Sequence, residues 1–293
     1  MLDVNRLRVL VAVARHGSVT AAARALRYAQ PSVSHHLARL EAETGSRLVQ
    51  RVGRGIRLTE AGRLLAGRAE EILARLDAAQ AELDAHTGLS AGRVRLAAFP
   101  SALGTFVPDA AAGFAAAHPG VELRLTEAEP PDAAALLRSG EVDVAVLFGY
   151  PADRPDDDGL RRSPLLDERL HLVTPADLPG DELAEHAGRR WISGCERCRG
   201  QLVRACAAAG FTPDIAFTTD DYVAVQSLVA AGLGVTLLPG LALAAHRDPR
   251  VRAVALDGDG RSVFAAVHGA APDPPPTAAL LTHLARAAAE QRP

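Results

Sequence analysis

The sequence predicts an α + α/β chain. It has an N-terminal winged helix-turn-helix over residues 1–58, a long linker helix and hinge over 59–91, and a two-lobed α/β domain over 92–293. Three observations predict this. Apolar residues recur at helical spacing through the first part of the chain, and after Arg93 give way to short apolar runs alternating with helical stretches. Charge divides near the first boundary: residues 1–60 hold ten Arg against Asp3, Glu41, Glu43 and Glu60, a net of +6. Residues 61–293 hold 22 Arg against 31 acids, a net of −9. A basic head on an acidic body is expected where the head meets a polyanion. The length of 293 residues suits about two domains with sizeable cores.

Within the head, Leu7, Leu10, Val11 and Ala14 define the buried stripe of a first helix that ends at His16-Gly17. Ser18 is placed to cap a short Ala-rich helix, VTAAARAL, which lets a neighbour approach closely. After the turn Arg27-Tyr28-Ala29, the segment 29–45 reads as a third helix, with Pro31 at its start and Gly45 just past its end. Val33, Leu37 and Leu40 form its buried stripe. Gln30, Ser32, Ser34, His35, Ala38 and Arg39 are left outward. Short hydrogen-bonding side chains on an exposed first turn suit a helix whose front end enters the major groove, where Gln pairs with adenine. RLVQRVGRGIRLT then reads as a hairpin with Arg54 at its tip and Arg51 and Arg57 on its arms, placed to contact backbone or minor groove. The DNA-binding candidates are therefore Gln30, Ser32, Ser34, His35, Arg39, Arg51 and Arg54.

Thr59 is placed to cap a helix running to about His86. Leu65, Ile72, Ala79 and His86 are spaced by seven, as are Ala69, Leu76 and Leu83, which is the a/d pattern of a helix–helix seam. The expected dimerisation residues are Leu65, Ile72, Leu76, Ala79 and Leu83, in a homodimer or homotetramer. Residues 87–92 read as a hinge. In the body, VRLAAF, VELRLT, VDVAVLF, LHLVT, RRWIS, DIAFTT, GVTLL, VRAVAL and SVFAAVHG are strand candidates. Helices are expected at 102–117, 132–138 and 277–290, and the sheets are expected to be mainly parallel. Lobe I takes about 92–165 plus 266–293, and lobe II about 166–265.

All 32 cationic Lys-or-Arg positions are Arg, which excludes Schiff-base and phosphate-loop lysines. Three Cys suit a reducing cytosol better than a disulfide scaffold. The N-terminus lacks the features of a signal peptide, and the apolar stretch 223–245 is broken by Gly232, Gly234, Pro239 and Gly240, so no membrane span is expected. The Arg- and Ala-rich composition points to a GC-rich genome.

The head resembles that of LysR-type transcriptional regulators, through RLRVLVAVARHGSVTAAARAL, AQPSVSHHLARLEAETGSRLVQR and GRGIRLTEAG in that order and spacing. Ala29, Val49 and His35 depart from that family's usual residues. The body resembles the same family's effector domain, of the periplasmic-binding-protein type, through GEVDVAVLF, LLDERLHLVTP and TTDDYVAVQSLVAAGLGVTLLP. The resemblance covers about residues 1–268 and has the character of an actinobacterial-like member. It implies a cytoplasmic regulator, not an enzyme, whose partners are double-stranded DNA, a small-molecule effector and further copies of itself, with no cofactor or metal. An effector is expected between the lobes at strand ends. Ser101 and Ala102 would offer N–H groups and a hydroxyl to an anion there, Ser101 also serving as a helix cap. Phe148 would line the floor, with Ile192, Ser193, Gly194 and Thr219 opposite.

Other motifs compete. Cys195-Glu196-Arg197-Cys198 has redox spacing, with Arg197 and Arg199 expected to lower the thiol pKa, yet it also suits a plain helix start with Cys206 buried behind it. No second pair completes a zinc set. His35-His36 do not share a helix face, and Asp153 to Asp158 lacks calcium-loop spacing. No catalytic triad or nucleotide fingerprint is present. The alternative architecture is a two-lobed solute-binding protein or enzyme carrying an N-terminal helical interaction module.

Overall fold

The computed structural model describes residues 2–52, 55–86, 92–151, 153 and 159–291, which fall into two compact units, one of Met1–His86 with Arg138–Glu141 and one of Thr87–Leu137 with Val142–Pro293. In the first unit, α1 (Val4–His16) is capped by Asp3, whose carboxylate accepts from the Arg6 amide at 3.1 Å, and ends on Gly17 at φ 59°. Its burial exceeds one stripe, since Val9, Ala12 and Val13 are buried beside Leu7, Leu10 and Val11. The reason is that α1 packs against α2 (Val19–Leu26), α3 (Gln30–Thr44) and α4 (Glu60–His86) together. Ser18 caps α2, and Arg27 ends it in the left-handed region at φ 55°. Val33, Leu37 and Leu40 of α3 close the core, and Gly45 at φ 63° ends that helix.

The wing is an antiparallel pair, β1 (Val49–Val52) and β2 (Gly55–Leu58), with Val49 opposite Leu58. Glu41 fixes its base by accepting from the Leu48 and Val49 amides at 2.8 and 3.2 Å. The Ile56 amide ties the wing to Gly17 O at 3.3 Å. Thr59 caps α4 by accepting from the Gly62 amide at 3.0 Å. Ala66, Ala69 and Leu73 of α4 are buried in the head core, so the first turns of the linker helix belong to the head. Ala69 therefore lies in the chain's own core and not in the expected seam.

The second unit holds one eight-stranded sheet in the order β4-β3-β5-β10-β6-β9-β7-β8. Parallel strands occupy its two ends: β3 (Gly92–Ala98), β4 (Val121–Glu127) and β5 (Val144–Gly149) at one, β7 (Arg190–Ser193), β8 (Asp214–Thr218) and β9 (Val235–Pro239) at the other. Between them run two long strands, β6 (Leu160–Pro175) and β10 (Val251–His268), antiparallel to each other and to their other neighbours. Four of the seven neighbouring pairs are parallel, as expected, but they lie in one sheet whose centre is antiparallel. VRAVAL and SVFAAVHG are two halves of β10, and both lobes share the same central ladder. Four residues, 256–259, stand opposite Leu170 where that ladder breaks register. A further correction concerns the helix expected from 102 to 117. It is two helices, α5 (Pro100–Leu103) and α6 (Phe106–Ala117), because Gly104 and Thr105 interrupt it.

The sheet is covered by α5, α6 and α7 (Pro130–Arg138) on the first lobe, and by α8 (Glu196–Ala208), α9 (Tyr222–Ala230) and α10 (Gly240–Ala245) on the second. The final helix α11 (Pro275–Glu290) returns to pack on α6, with Leu280 and Leu284 fully buried among lobe I residues. No helix among the described residues is long and apolar enough to cross a membrane.

Candidate functional site

Two sites arise from these elements, one in each unit. In the head, α3 buries one face and leaves Gln30, Ser32, Ser34, His35 and Arg39 exposed. Gln30 Nε2 donates to Ser34 Oγ at 3.2 Å. That bond orients the amide and leaves its carbonyl oxygen and second N–H for a base edge. No side chain caps the first turn of α3, because Ala29 occupies the cap position. Tyr28 stacks on His36 with ring centroids 5.9 Å apart, which takes His36 rather than His35 into the local packing. Arg57 is exposed on β2, whereas the side chain of Arg51 and the whole of Arg54 lie outside the described residues.

Along α4, Ile72 and Leu76 are large apolar side chains left 39% and 43% exposed, Ala79 is exposed and Leu65 half-buried. Exposed apolar stripes of this kind mark interaction surfaces. The Leu83 side chain and the hinge at 87–91 lie outside the described residues.

In the body, a small cavity of about 60 Å³ opens where β3, β5, β7, β8 and β9 end. Ser101, Phe148, Gly194 and Thr219 line it, joined by Phe99, Glu129, Cys195, Cys198, Tyr222 and Arg261. Three expected residues fall elsewhere. Ala102 is fully buried in the lobe I core, and its amide is taken by Phe99 O at 3.1 Å. Ile192 is fully buried in the lobe II core, and its carbonyl accepts from Thr236 Oγ1 at 2.8 Å. Ser193 turns its hydroxyl back to Gly194 O at 3.2 Å. Ser101 is not the helix cap, since α5 begins at Pro100 after Phe99. A wider groove of about 560 Å³ lies at the opposite, N-terminal ends of β7 and β9, around Arg190 and Val235. Strand carboxyl ends are where open α/β sheets take ligands, which favours the smaller cavity.

Arg261, in the wall of that cavity, belongs to a buried ion pair that the sequence does not reveal. Arg261 Nε donates to Glu168 Oε1 at 2.7 Å, and its Nη2 donates to Ser101 Oγ at 3.0 Å. Its guanidinium lies 4.1 Å from the Phe148 ring centroid and 4.8 Å from that of Phe99, a double cation–π stack. Glu168 Oε2 accepts from the Leu241 amide at 2.7 Å. The available signal was a charged residue in the apolar run GRSVFAAV, facing an acid in DERLHL. Burial pushes the Glu129 carboxyl up, partly offset by a hydrogen bond from the Cys195 thiol and reinforced by Asp220. Its Oε2 is buried with no hydrogen-bond partner. Burial also raises the Tyr150 hydroxyl, which donates to Cys198 Sγ at 3.6 Å. Among the described residues no three His, Cys, Asp or Glu side chains converge as a metal set.

Comparison with known proteins agrees with both halves. Residues 4–63 match the family model for the bacterial regulatory helix-turn-helix protein of the lysR family, and residues 87–289 match the LysR substrate binding domain. The chain is 35% identical over 152 residues to the HTH-type transcriptional regulator CbbR of Rhodospirillum rubrum, a match spanning about half of each protein (52% of this chain and 50% of that one). It is 30% identical over 258 residues to the probable HTH-type transcriptional regulator LrrA of Synechococcus elongatus, covering 85% of this chain and 87% of that one. Among solved structures it is similar to CbnR, a LysR family transcriptional regulator, with TM-score 0.64, 22% identity and 98% and 99% of the two chains covered. It is also similar to full-length CbnR complexed with its target DNA, with TM-score 0.62, 22% identity and coverage of 98% and 100%. At that identity the structural likeness speaks for the fold.

Proposed function

The chain belongs to the lysR family of bacterial regulatory proteins, and from that premise we propose that it is a sequence-specific DNA-binding transcriptional regulator. A small-molecule effector held between its two α/β lobes controls it. The observation that carries this reading is the exposed polar face of α3, set on a head of net charge +6. Gln30, Ser32, Ser34 and His35 read base edges; Arg39, Arg51 and Arg54 contact backbone or minor groove. The exposed stripe Ile72, Leu76 and Ala79, continued by Leu65 and Leu83, pairs two chains along α4, and such dimers assemble further into tetramers. Two heads then span a two-fold site, which a single small head grips only weakly. The Arg- and Ala-rich composition supports an actinobacterial-like member, and the few cysteines together with the family support a cytoplasmic one. Effector binding at Ser101, Phe148 and Thr219 shifts the population between two arrangements of the assembly.

The test is a gel shift with the DNA upstream of the chain's own gene, repeated across salt concentrations. Log affinity is expected to fall by about 0.9 per neutralised phosphate for each log unit of salt. A flat response would count against the head as the DNA-binding part. The double substitution Gln30→Ala with Ser34→Ala is expected to cost about 1–3 kcal/mol of specific binding while non-specific binding survives. Equal loss of both would refute base reading by these residues.

A further inference from the structure

We propose that the body cavity takes a small α-amino acid, glycine or alanine, held as a zwitterion between buried hydrogen-bond donors and two carboxylates. This names a class of effector and rests on the reading of this cavity as the effector site. Two kinds of polar group line the cavity, and neither kind is fully paired. The donors are Arg261 and Ser101, residues only 3% and 6% exposed. Arg261 spends Nε on Glu168 and Nη2 on Ser101 Oγ, and its Nη1 makes no hydrogen bond among the described residues. Ser101 Oγ accepts that bond, and its own proton has no acceptor among the described residues. Nη2 and Oγ are 3.0 Å apart, so the unspent N–H groups and the unspent O–H stand side by side. Neighbouring donors of this kind suit the two oxygens of one carboxylate. Buried donors without acceptors are costly, so an occupant that supplies acceptors is favoured.

The acceptors are Glu129 and Asp220. Glu129 Oε2 is buried with no partner, and Asp220 is an exposed member of the lining. Burial pushes the Glu129 carboxyl up, and repulsion by Asp220 adds to that push. Arg261 relieves the two acids little, because Glu168 already balances its charge at 2.7 Å. With Glu168, the cavity and its wall hold three acids against one cation. An anion alone would find the donors but meet that negative excess. A cation alone would meet the acids but leave Ser101 and Arg261 unspent. A zwitterion answers both. Its carboxylate takes the Arg261 and Ser101 donors, and its ammonium donates to Glu129 Oε2 and offsets the repulsion between the two acids. Size narrows the class. The cavity's 60 Å³, at about 10–15 Å³ for each water-sized group, holds about four to six such groups. Glycine and alanine are of that size, and an amino acid with an aromatic side chain is not. Val225, Leu237 and Ala242 give a methyl group an apolar wall.

The experiment is isothermal titration of the full chain with glycine and L-alanine, and with acetate and methylammonium, which carry the two charges one at a time. The amino acids are expected to bind at least about tenfold more tightly than either single ion. Acetate binding as tightly would mean that the donors act alone, and methylammonium binding as tightly that the carboxylates do; either result overturns the proposal, as does no binding of the amino acids. L-Phenylalanine is expected to give no binding, and an affinity equal to that of L-alanine would remove the ligand from this cavity. These comparisons need no variant to fold. Glu129→Gln is expected to weaken L-alanine by about tenfold or more, the usual loss of a hydrogen bond to a charged group. Asp220→Asn, at an exposed position, is expected to weaken it by about threefold. Unchanged affinity in both variants would refute the ammonium site. Titration involves no DNA, so a failed gel shift with amino-acid binding intact would sink the regulator reading alone. An intact gel shift without amino-acid binding would sink this one alone.

Discussion

Arg261→Met is expected to destabilise the body by about 3–5 kcal/mol, the usual cost of stranding one partner of a buried ion pair. The side chains of Arg261 and Glu168 are only 2% and 6% exposed, and after substitution Glu168 would keep a single donor, the Leu241 amide. Urea denaturation of the parent and the variant measures the effect. Combining Arg261→Met with Glu168→Leu is expected to recover most of the loss, because an apolar pair of similar volume replaces a buried ion pair with little penalty. If the double variant is no better than the single one, the stacking of Arg261 on Phe99 and Phe148 is the larger contribution.

Gly62→Ala and Gly67→Ala are expected to move stability in opposite directions, although both lie within seven residues of the start of α4. A Cβ at Gly62 would meet Leu48 O at 2.0 Å and Leu48 C at 2.9 Å. Those are backbone atoms at the wing base, fixed further by the Thr59 amide bond to Leu48 O at 3.0 Å, so they cannot turn aside. The helix must shift away from the head, with an expected loss of about 3 kcal/mol or more, beyond ordinary overpacking. DNA affinity should fall with it, since the wing and α3 share that core. At Gly67 a Cβ meets nothing within 4 Å, and Ala there is expected to stabilise by about 0.8–1 kcal/mol through helix propensity alone. Thermal denaturation of the two variants decides; a neutral Gly62→Ala would refute the close approach.

The head was legible because its elements are local. Caps at Ser18 and Thr59, stops at Gly17 and Gly45, and the stripe Val33, Leu37 and Leu40 are each written within a few residues. What escaped was Val9, Ala12 and Val13, because three neighbours on one helix erase its periodicity. In the body, strand and helix identity was legible but pairing was not. β10 pairs with β5 and β6 across about a hundred residues of chain, and no local pattern encodes that. The cavity fared likewise. Ser101, Phe148 and Thr219 lie at strand ends and were found by that rule. Ile192 and Ser193 also lie at a strand end, yet they face inward where Thr236 and Gly194 engage them. Arg261 and Glu168, 93 residues apart, acquire meaning only once folded together.

The long ladder of β6 and β10 sets how the body can respond to a ligand. Lobes joined by slack connectors would swing freely, but these are joined by hydrogen-bonded ribbon. Its compliance is concentrated where residues 256–259 bulge opposite Leu170, since ladders bend where register is lost. Gly258, at φ 77°, supplies the backbone latitude at that point. Arg261 follows one residue after the ladder resumes at Gly260. If the proposed effector engages the guanidinium, it would pull at the foot of that stretch, and the body would work as a sprung joint whose rest angle the occupant resets.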